Sequence, residues 1–446
     1  MAVVTELETR PRRNVELVLL ALSIAIAIGA YALVGLASED RVPADWLSVG
    51  GGLAVLAFVL HLVLRFAAPY ADPVILPIAT AINGLGLVVI HRLDLAEGRD
   101  FGSALATKQL VWTAVGVSAA VAVLLVVRDH RILARYTYTA AAGGLVLLLL
   151  PLVPGLGVEI FGARIWISLG PLSFQPGEIA KILLALFFAG YLVTARDSLA
   201  LVGRRVLGIQ LPRARDLGPI LVAWVASLGV LVFERDLGTS LLFFGLFVAM
   251  LYVATERRSW IVIGMGLFAA GAFVAWTIFG HVQRRVDIWL HPFDPDVLDN
   301  SFQLIQGLYG MASGGLIGTG LGEGRPDIIP FAESDFIFAA IGEELGLTGI
   351  FALLLLYGVL VERGLRTAIG VRDGFGKLFA AGLSFTLALQ VFVVAGGVTR
   401  VIPLTGLVMP FLAYGGSALL SNWMVVALLL RISDAARRPA PAEVTV

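Results

Sequence analysis

The chain has 446 residues, of which 59% are apolar or aromatic and only 14% are charged, and its mean hydropathy is +0.92. Soluble domains run near 25% charged, and no single core absorbs that much apolar surface. The composition therefore excludes an ordinary soluble globule and specifies a polytopic membrane protein. With 32 basic and 32 acidic residues the net charge is zero, which gives no sign of nucleic acid; with no cysteine, a disulfide framework or a thiolate metal or redox site is excluded.

Residues 1–14, MAVVTELETRPRRN, place basic side chains ahead of an apolar run of more than 20 residues. That run is too long for a signal-peptide core and lacks a clear small-residue cleavage site, so the segment reads as a cytoplasmic tail before a retained first span. Apolar stretches of spanning length lie at roughly 15–37, 46–66, 74–91, 109–127, 136–153, 178–195, 217–233, 239–255, 260–280, 336–361, 377–397 and 406–431, about twelve in all. Each is expected to be helical, because lipid offers backbone groups no other partner, and the predicted fold class is all-α. No internal repeat is visible.

Lys and Arg in the connecting segments number 21 on one side and 10 on the other, with Lys181 inside a span. The richer side is cytoplasmic by the positive-inside rule, which puts both termini in the cytoplasm. The longest connection, 281–335, of about 55 residues, then falls outside. A connection of that length is functional or disordered, and its aromatic and apolar residues argue for function. Within it GMASGGLIGTGLGEG (310–324) fits neither the Walker pattern nor a dinucleotide fingerprint. It reads as a flexible or re-entrant membrane-surface segment, with a phosphate-cradling loop as the alternative.

Ionisable residues at membrane depth are costly and mark function, and four places stand out. In FQPGEIAK (174–181), Glu178 and Lys181 are three apart on a helix and are expected to pair. Such a pair either fixes helix packing or lines a polar cavity. In FERDLGTS (233–240), a short turn between spans, Asp236 is placed to cap the next helix or to open a polar cavity. In ESDFIFAAIGEELG (333–346), Glu333 and Asp335 stand at the start of a span, where carboxylates suit a helix N-terminus. Glu343 and Glu344 lie about 12–13 Å deeper at roughly 1.5 Å per residue. Adjacent buried carboxylates raise each other's pKa and need partners, for which the outer arginines or Lys181 are candidates; a packing network is the plainer reading. The fourth place is HPFDPDVLDNSFQ (291–303), a proline-broken acidic loop with Asp294, Asp296, Asp299 and Asn300. On composition alone it is a solvated loop. Its context argues for more: Arg284 and Arg285 precede it, and Trp289 and Phe293 suit the interface. A carboxylate beside arginines there can act as general base while the arginines hold an anion.

Four strings occur in order between long apolar spans: GARIWISLGPLSFQPGEIAK, RDLGTS, SDFIFAAIGEELGLTG and IPLTGLVMPFLAYGGSALLSNW, with ATKQLVW at 106–112 ahead of them. Together they resemble the SEDS family (shape, elongation, division and sporulation), that of RodA, FtsW and SpoVE, over about residues 74–432. The resemblance implies a ten-helix core at 71–432, preceded by two additional N-terminal helices at 15–70 and followed by a cytoplasmic tail at 433–446. The additional helices are associated with actinobacterial RodA-like members. The implied activity is polymerisation of peptidoglycan strands from lipid II at the outer face of the bacterial cytoplasmic membrane, for elongation and shape or for division. The 4-hydroxyl of an acceptor N-acetylglucosamine attacks the anomeric carbon of a lipid-linked N-acetylmuramic acid. Undecaprenyl diphosphate leaves and the carbon inverts.

By resemblance the catalytic group is an aspartate of the large outer loop. The family pattern resembles D/N-P-x-x-D-P-x-G-x-G-Y-Q; here there is an extra residue and both glycines are missing. Counting back from Phe302 and Gln303 selects Asp296, whereas counting from His291 and Pro292 falls on Pro295, between Asp294 and Asp296. Asp296 is the first candidate and Asp294 the second. The resemblance also implies that Glu178, Lys181 and Asp236 line a central cavity, preceded at the outer face by Arg164, Trp166 and Gln175. Glu333, Asp335, Glu343, Glu344 and Ser417 keep their motif positions. Arg284, Arg285 or a divalent cation (Mg or Mn) would balance the leaving diphosphate, and no protein metal-ligand set is implied. The implied partners are lipid II, the nascent strand, membrane lipid and a class B penicillin-binding protein, the transpeptidase. Several departures stand out: QPGE for QPSE, ERDLGT for QPDLGT, AYGGS for SYGGS, and FAESDFIF for PExHTDFIF, which loses a histidine.

Two rival functions use the same residues differently. A lipid II flippase needs the buried pairs and the cavity but no loop aspartate. A non-catalytic scaffold or activator of the transpeptidase is favoured by the altered loop motif.

Overall fold

The computed structural model describes residues 11–99, 103–160, 163–170, 172–200, 205–206, 209–210, 225, 229, 234 and 236–439. The stretch 217–233, predicted as a span, lies almost wholly outside the described residues. Among those described, eleven helical segments are long and apolar enough to cross a membrane. Helices α1 (Arg13–Glu39) and α2 (Trp46–Ala67) form an N-terminal hairpin that packs α1 on α3 (Ile75–Ala96) and α2 on α4 (Leu105–Val126). Helix α5 (Thr137–Leu149) pairs with α6 (Gly177–Ala200), and α7 (Leu237–Thr255) lies between α6 and α12 (Gly374–Val398). Among the described residues, helix α8 (Ser259–Ile278) buries only Trp260 and Gly264 and leans mainly on α7 of the spans.

The long connection is not a bare loop. It contains α9 (Gly280–Leu290) and α10 (Leu298–Gly314) before α11 (Ile337–Gly370) begins. Helices α3, α12 and α13 (Gly416–Arg437) bury nearly every residue they present. Helices apolar all round belong in the middle of a bundle, and these three form its centre.

The all-α class holds, with two short sheets outside the spans, and one expectation about a span boundary is corrected. The chain is helical through its spans, but Gly157–Ile160, Ala163–Leu169 and Leu172–Phe174 form a three-stranded antiparallel sheet between α5 and α6, here β1, β2 and β3, and Arg205–Val206 pairs with Ile209–Gln210 as β4 and β5. Outside lipid, backbone groups can satisfy one another between strands, so the constraint that forces helices within the membrane no longer applies there. The last span was expected from residue 406, yet α13 starts only at Gly416. The preceding stretch is non-helical and turns at Phe411 (φ 63°), and buried side chains satisfy its carbonyls. Gln390 donates to Val408 O (2.8 Å), Asn83 to Phe411 O (3.2 Å) and Gln109 to Ala413 O (2.9 Å), and the Tyr357 hydroxyl to Pro410 O. Non-helical backbone at this depth is tolerated where protein, not lipid, surrounds it. Gly86 is part of the fit, since a Cβ there would lie 2.3 Å from Leu412 O.

Candidate active site

Helices α9 and α10 stand over the junction between α12 and the non-helical stretch. Trp289 Nε1 donates to Arg400 O (3.1 Å), and Arg400 returns bonds to Trp289 O (2.8 Å) and Leu290 O (3.0 Å). This reciprocal clamp fixes the end of α9. One turn back, Arg285 donates to Leu404 O (3.2 Å) and Thr405 O (3.0 Å). A cleft of about 200 Å³ remains, with Arg285, Asn300, Gln303 and Asp335 on one side and Val393, Val394, Leu404 and Leu407 on the other.

The charges here act on one another. Burial pushes the Asp335 carboxyl up to about 6, with Arg285 opposing the shift and Glu333 and Asp236 adding to it. Burial lowers Arg285, and Asp236 and Asp335 oppose that. Asp236 caps α7: its Oδ1 accepts from Thr239 N (3.0 Å) and its Oδ2 from the Thr239 hydroxyl. Arg285 is thus already compensated by two carboxylates and two carbonyls, and it does not offer a free cation as expected. Arg284 is exposed, faces away from the cleft, and has no ion-pair partner among the described residues. Glu333 and Asp335 stand just ahead of α11, at its N-terminus as expected, although its N-cap is Phe336 with no side-chain cap. Glu333 instead receives Tyr414 N on its carbonyl (2.7 Å).

The acidic loop connects the two helices that line the cleft. Ser301 fastens it by donating to Pro292 O, and successive turns run from Asp294 N to His291 O and from Val297 N to Asp294 O. Asp294 and Asp296 are both exposed, and neither lines the cleft. Asp294 stands 4.0 Å from His291 Nδ1. The structure brings neither aspartate against Arg284 or Arg285.

A second cluster lies deep in the bundle. Lys181 Nζ sits 2.6 Å from Glu178 Oε2 and also donates to Gln390 Oε1 (3.3 Å) and Asn422 Oδ1 (3.5 Å). Ser421 donates to Glu178 O (2.7 Å), and the Ser417 hydroxyl accepts Gln175 N (2.9 Å), so α6 and α13 are tied at two levels. Arg164 and Trp166 ride on β2, the first exposed and the second half-buried, with no bond to this cluster among the described residues.

The third cluster decides between the partners expected for the adjacent glutamates, the outer arginines or Lys181, in favour of an outer arginine. Lys181 is committed to Glu178; Arg92 of α3 serves Glu344, donating at 3.0 Å to Oε1 and at 2.7 Å to Gly324 O. Glu343 Oε1 accepts Arg325 N at 2.7 Å. Helix α11 breaks here at Gly346 (φ 64°), and the glycine-rich turn docks on the break. Thr319 N and Gly320 N donate to Glu343 O and Glu344 O, while Leu347 N and Thr348 N donate to Gly315 O and Leu316 O, all at 3.0 Å. A Cβ at Gly346 would lie 2.3 Å from Gly318 N, so only glycine admits this approach. These amides are spent on α11, which favours the re-entrant reading over a phosphate cradle.

Sequence reasoning missed Asn83, Gln109, Gln390 and Asn422, four fully buried amides on apolar helices, and the cost of burying them was the available signal. For the divalent cation, no group of three or more His, Asp or Glu side chains placed to hold a metal is found among the described residues. Arg285 occupies the charge position between Asp236 and Asp335, so these residues do not make a cation site.

A family model for the FtsW, RodA and SpoVE proteins, described as cell cycle protein, matches residues 73–438. Peptidoglycan glycosyltransferase RodA of Mycobacterium tuberculosis is 51% identical over 432 residues, covering 96% of this chain and 92% of that protein. Stage V sporulation protein E of Bacillus subtilis is 34% identical over 335 residues, covering 74% and 87%. Among solved structures, a chain from a peptidoglycan synthase complex that coordinates polymerization and crosslinking superposes with a TM-score of 0.66 at 29% identity, covering 82% of this chain and 98% of that one. Thermus thermophilus rod shape determining protein RodA superposes with a TM-score of 0.58 at 28% identity, covering 81% and 96%.

Proposed function

Because the chain belongs to the FtsW, RodA and SpoVE family, the SEDS proteins, we infer its chemistry from the reaction of that family: it is a peptidoglycan glycosyltransferase of the cytoplasmic membrane. The observation that carries this is the 51% identity to the mycobacterial enzyme over 96% of the chain. The finer reading is that it polymerises lipid II at the outer face. The charge bias of the loops supports this, because it puts both termini inside and the 281–335 connection outside. The twelve spans expected from the sequence, of which eleven are seen among the described residues, agree with that parity. A class B penicillin-binding protein is the proposed partner, supported by the likeness to a chain of a synthase complex that couples polymerization to crosslinking.

Asp296 is proposed as general base, with Asp294 as the alternative. Support comes from its place: exposed, on the loop joining the two helices that line the cleft. It takes the proton of the acceptor 4-hydroxyl as that oxygen bonds to the anomeric carbon. The bond from that carbon to the diphosphate breaks and the diphosphate keeps the electron pair. Arg284, exposed and unpaired among the described residues, is the better placed arginine to meet the departing anion. No step is routed through a metal.

The test is polymerisation of fluorescent lipid II by the purified chain with and without its class B partner. Asp296→Ala is expected to cut the ladder by about 10²–10⁴-fold, the worth of a positioned base. Loss confined to Asp294→Ala moves the base to that residue. No ladder from the wild type with its true partner leaves the scaffold or flippase.

A further inference from the structure

The wall of the cleft contributed by α10 has chemistry that the reaction as written leaves unused. Asn300 and Gln303 are three apart on α10, share a face and both line the cleft. Gln303 Nε2 donates to Pro330 O at 3.3 Å, which fixes the amide and leaves Oε1 without a donor among the described residues. The Asn300 side chain makes no hydrogen bond among the described residues. Asp335 adds an acceptor carboxylate, and Arg285 is already satisfied.

Such a cleft disfavours an anion. Its one cation is compensated, and its uncommitted groups are two neutral amides and a carboxylate. Its volume, about 200 Å³, is below the roughly 300–1,000 Å³ of sites that enclose drug-sized ligands. One sugar ring fits that space better than a lipid-linked disaccharide. The wall of Val393, Val394 and Leu407 suits the C–H face of a pyranose.

Resting on the glycosyltransferase reading, we propose that Asn300 and Gln303 recognise a 2-acetamido group, and that this cleft is the subsite for the acceptor N-acetylglucosamine ring. A primary amide both donates and accepts, and an acetamido group offers a carbonyl and an N–H to match. Asp335 accepts from a ring hydroxyl. The donor ring carries the diphosphate, which the carboxylates here repel. The acceptor ring is neutral and lies one ring away from its own diphosphate.

The experiment uses the full chain in nanodiscs with its class B partner, and the probe is N,N′-diacetylchitobiose, a β-1,4-linked N-acetylglucosamine disaccharide. Cellobiose, which has the same rings without acetamido groups, is the control. Chitobiose is expected to bind by saturation-transfer NMR and cellobiose is not. Asn300→Ala and Gln303→Lys are each expected to weaken binding about five- to tenfold, the worth of a lost hydrogen bond. Gln303→Lys keeps a donor for Pro330 O, and Asn300 has no other described bond, so folding is preserved; equal Tm values confirm it. Radiolabelled chitobiose is expected to enter glycan strands with the wild type and about fivefold more slowly with Asn300→Ala. Wild-type affinity in both variants overturns the proposal, as does equal binding of cellobiose. No chitobiose binding, or binding without incorporation, by a wild-type chain that does polymerise lipid II overturns the subsite and leaves the enzyme reading intact. Failure of the wild type to polymerise lipid II is the separate failure of that reading.

Discussion

Glu178 and Lys181 are sealed among α6, α12 and α13, with each charge answered within one residue cluster, whereas Arg285 and Asp335 line a cleft with the amides of Asn300 and Gln303 beside them. Both clusters bury charge in the same bundle. In the first, Gln390 and Asn422 accept from Lys181, while Ser421 and Ser417 bond backbone groups at and just ahead of the start of α6. In the second, the polar groups of α10 and the carboxylate of Asp335 are turned to space rather than to one another. A closed network holds helices in register. An open one with shifted carboxylates is where a substrate is met. On the proposal above, the deep pair sets the frame and the cleft does the recognising.

The largest expected effect tests the closed half of that contrast. Lys181→Met strands Glu178 in the interior and is expected to cost about 3–5 kcal/mol, read as a fall in Tm of the protein in nanodiscs. Adding Glu178→Leu is expected to recover most of that loss, because two apolar groups replace a pair that needed each other. If the double variant is stable but makes no glycan, the pair touches substrate and the contrast breaks.

Next in size is the turn that docks on α11. Gly346→Ala places a Cβ against Gly318 N at a positive φ, and strain of that kind costs about 1–3 kcal/mol. The expected readouts are a lower Tm and faster proteolysis in 315–325. An unchanged protein would mean that the glycine-rich stretch is held by something other than this approach.

Asp335 sharpens the open half through pH. Its carboxyl moves from an ordinary 3.8 to about 6. Between those values the folded chain binds more protons than the unfolded chain, so stability falls as pH rises through that window. Asp335→Asn does not titrate; it is expected to flatten that slope and to gain up to about 2 kcal/mol near neutrality. It is also expected to lose sugar affinity, because an amide replaces the carboxylate acceptor. A variant both more stable and fully active would place Asp335 with the structural residues.

Much of this was legible in the sequence. The apolar runs gave the spans, the spacing of Glu178 and Lys181 gave their pair, and the position of Asp236 ahead of LGTS gave the cap of α7. What failed had a common cause. The sequence narrows the partner of Glu344 only to the outer arginines or Lys181; Arg92 is 252 residues away, and no local pattern connects α3 to α11 to single it out. The stretch before α13 is as apolar as a span, yet it is non-helical because Asn83, Gln109, Tyr357 and Gln390 reach its carbonyls from four other helices. Hydropathy reports whether a segment can lie in lipid; it does not report that neighbouring side chains have taken over its hydrogen bonds. The two arginines read as one anion site diverge because adjacent helical positions face directions about 100° apart. Asp294 and Asp296 are separated by the same two-residue ambiguity in the structure as in the motif, since both are exposed on one loop.

The smallest expected effect lies at the boundary between the two regions. Ser417 opens α13 and is nearly fully buried, and its hydroxyl accepts the backbone N–H of Gln175 just ahead of α6. Ser417→Ala leaves that N–H without its partner, at a cost of about 1–2 kcal/mol. If the deep network is only a frame, the loss appears as a shift in Tm with the apparent affinity for lipid II unchanged. If the frame also sets the cleft, through the run from Leu404 to Gly415 that α13 terminates, KM rises together with the loss of stability. Ser417→Thr keeps the hydroxyl and separates the two cases: it is expected to restore the bond, and a KM that stays high with Tm recovered assigns the effect to the shape of the cleft rather than to the bond.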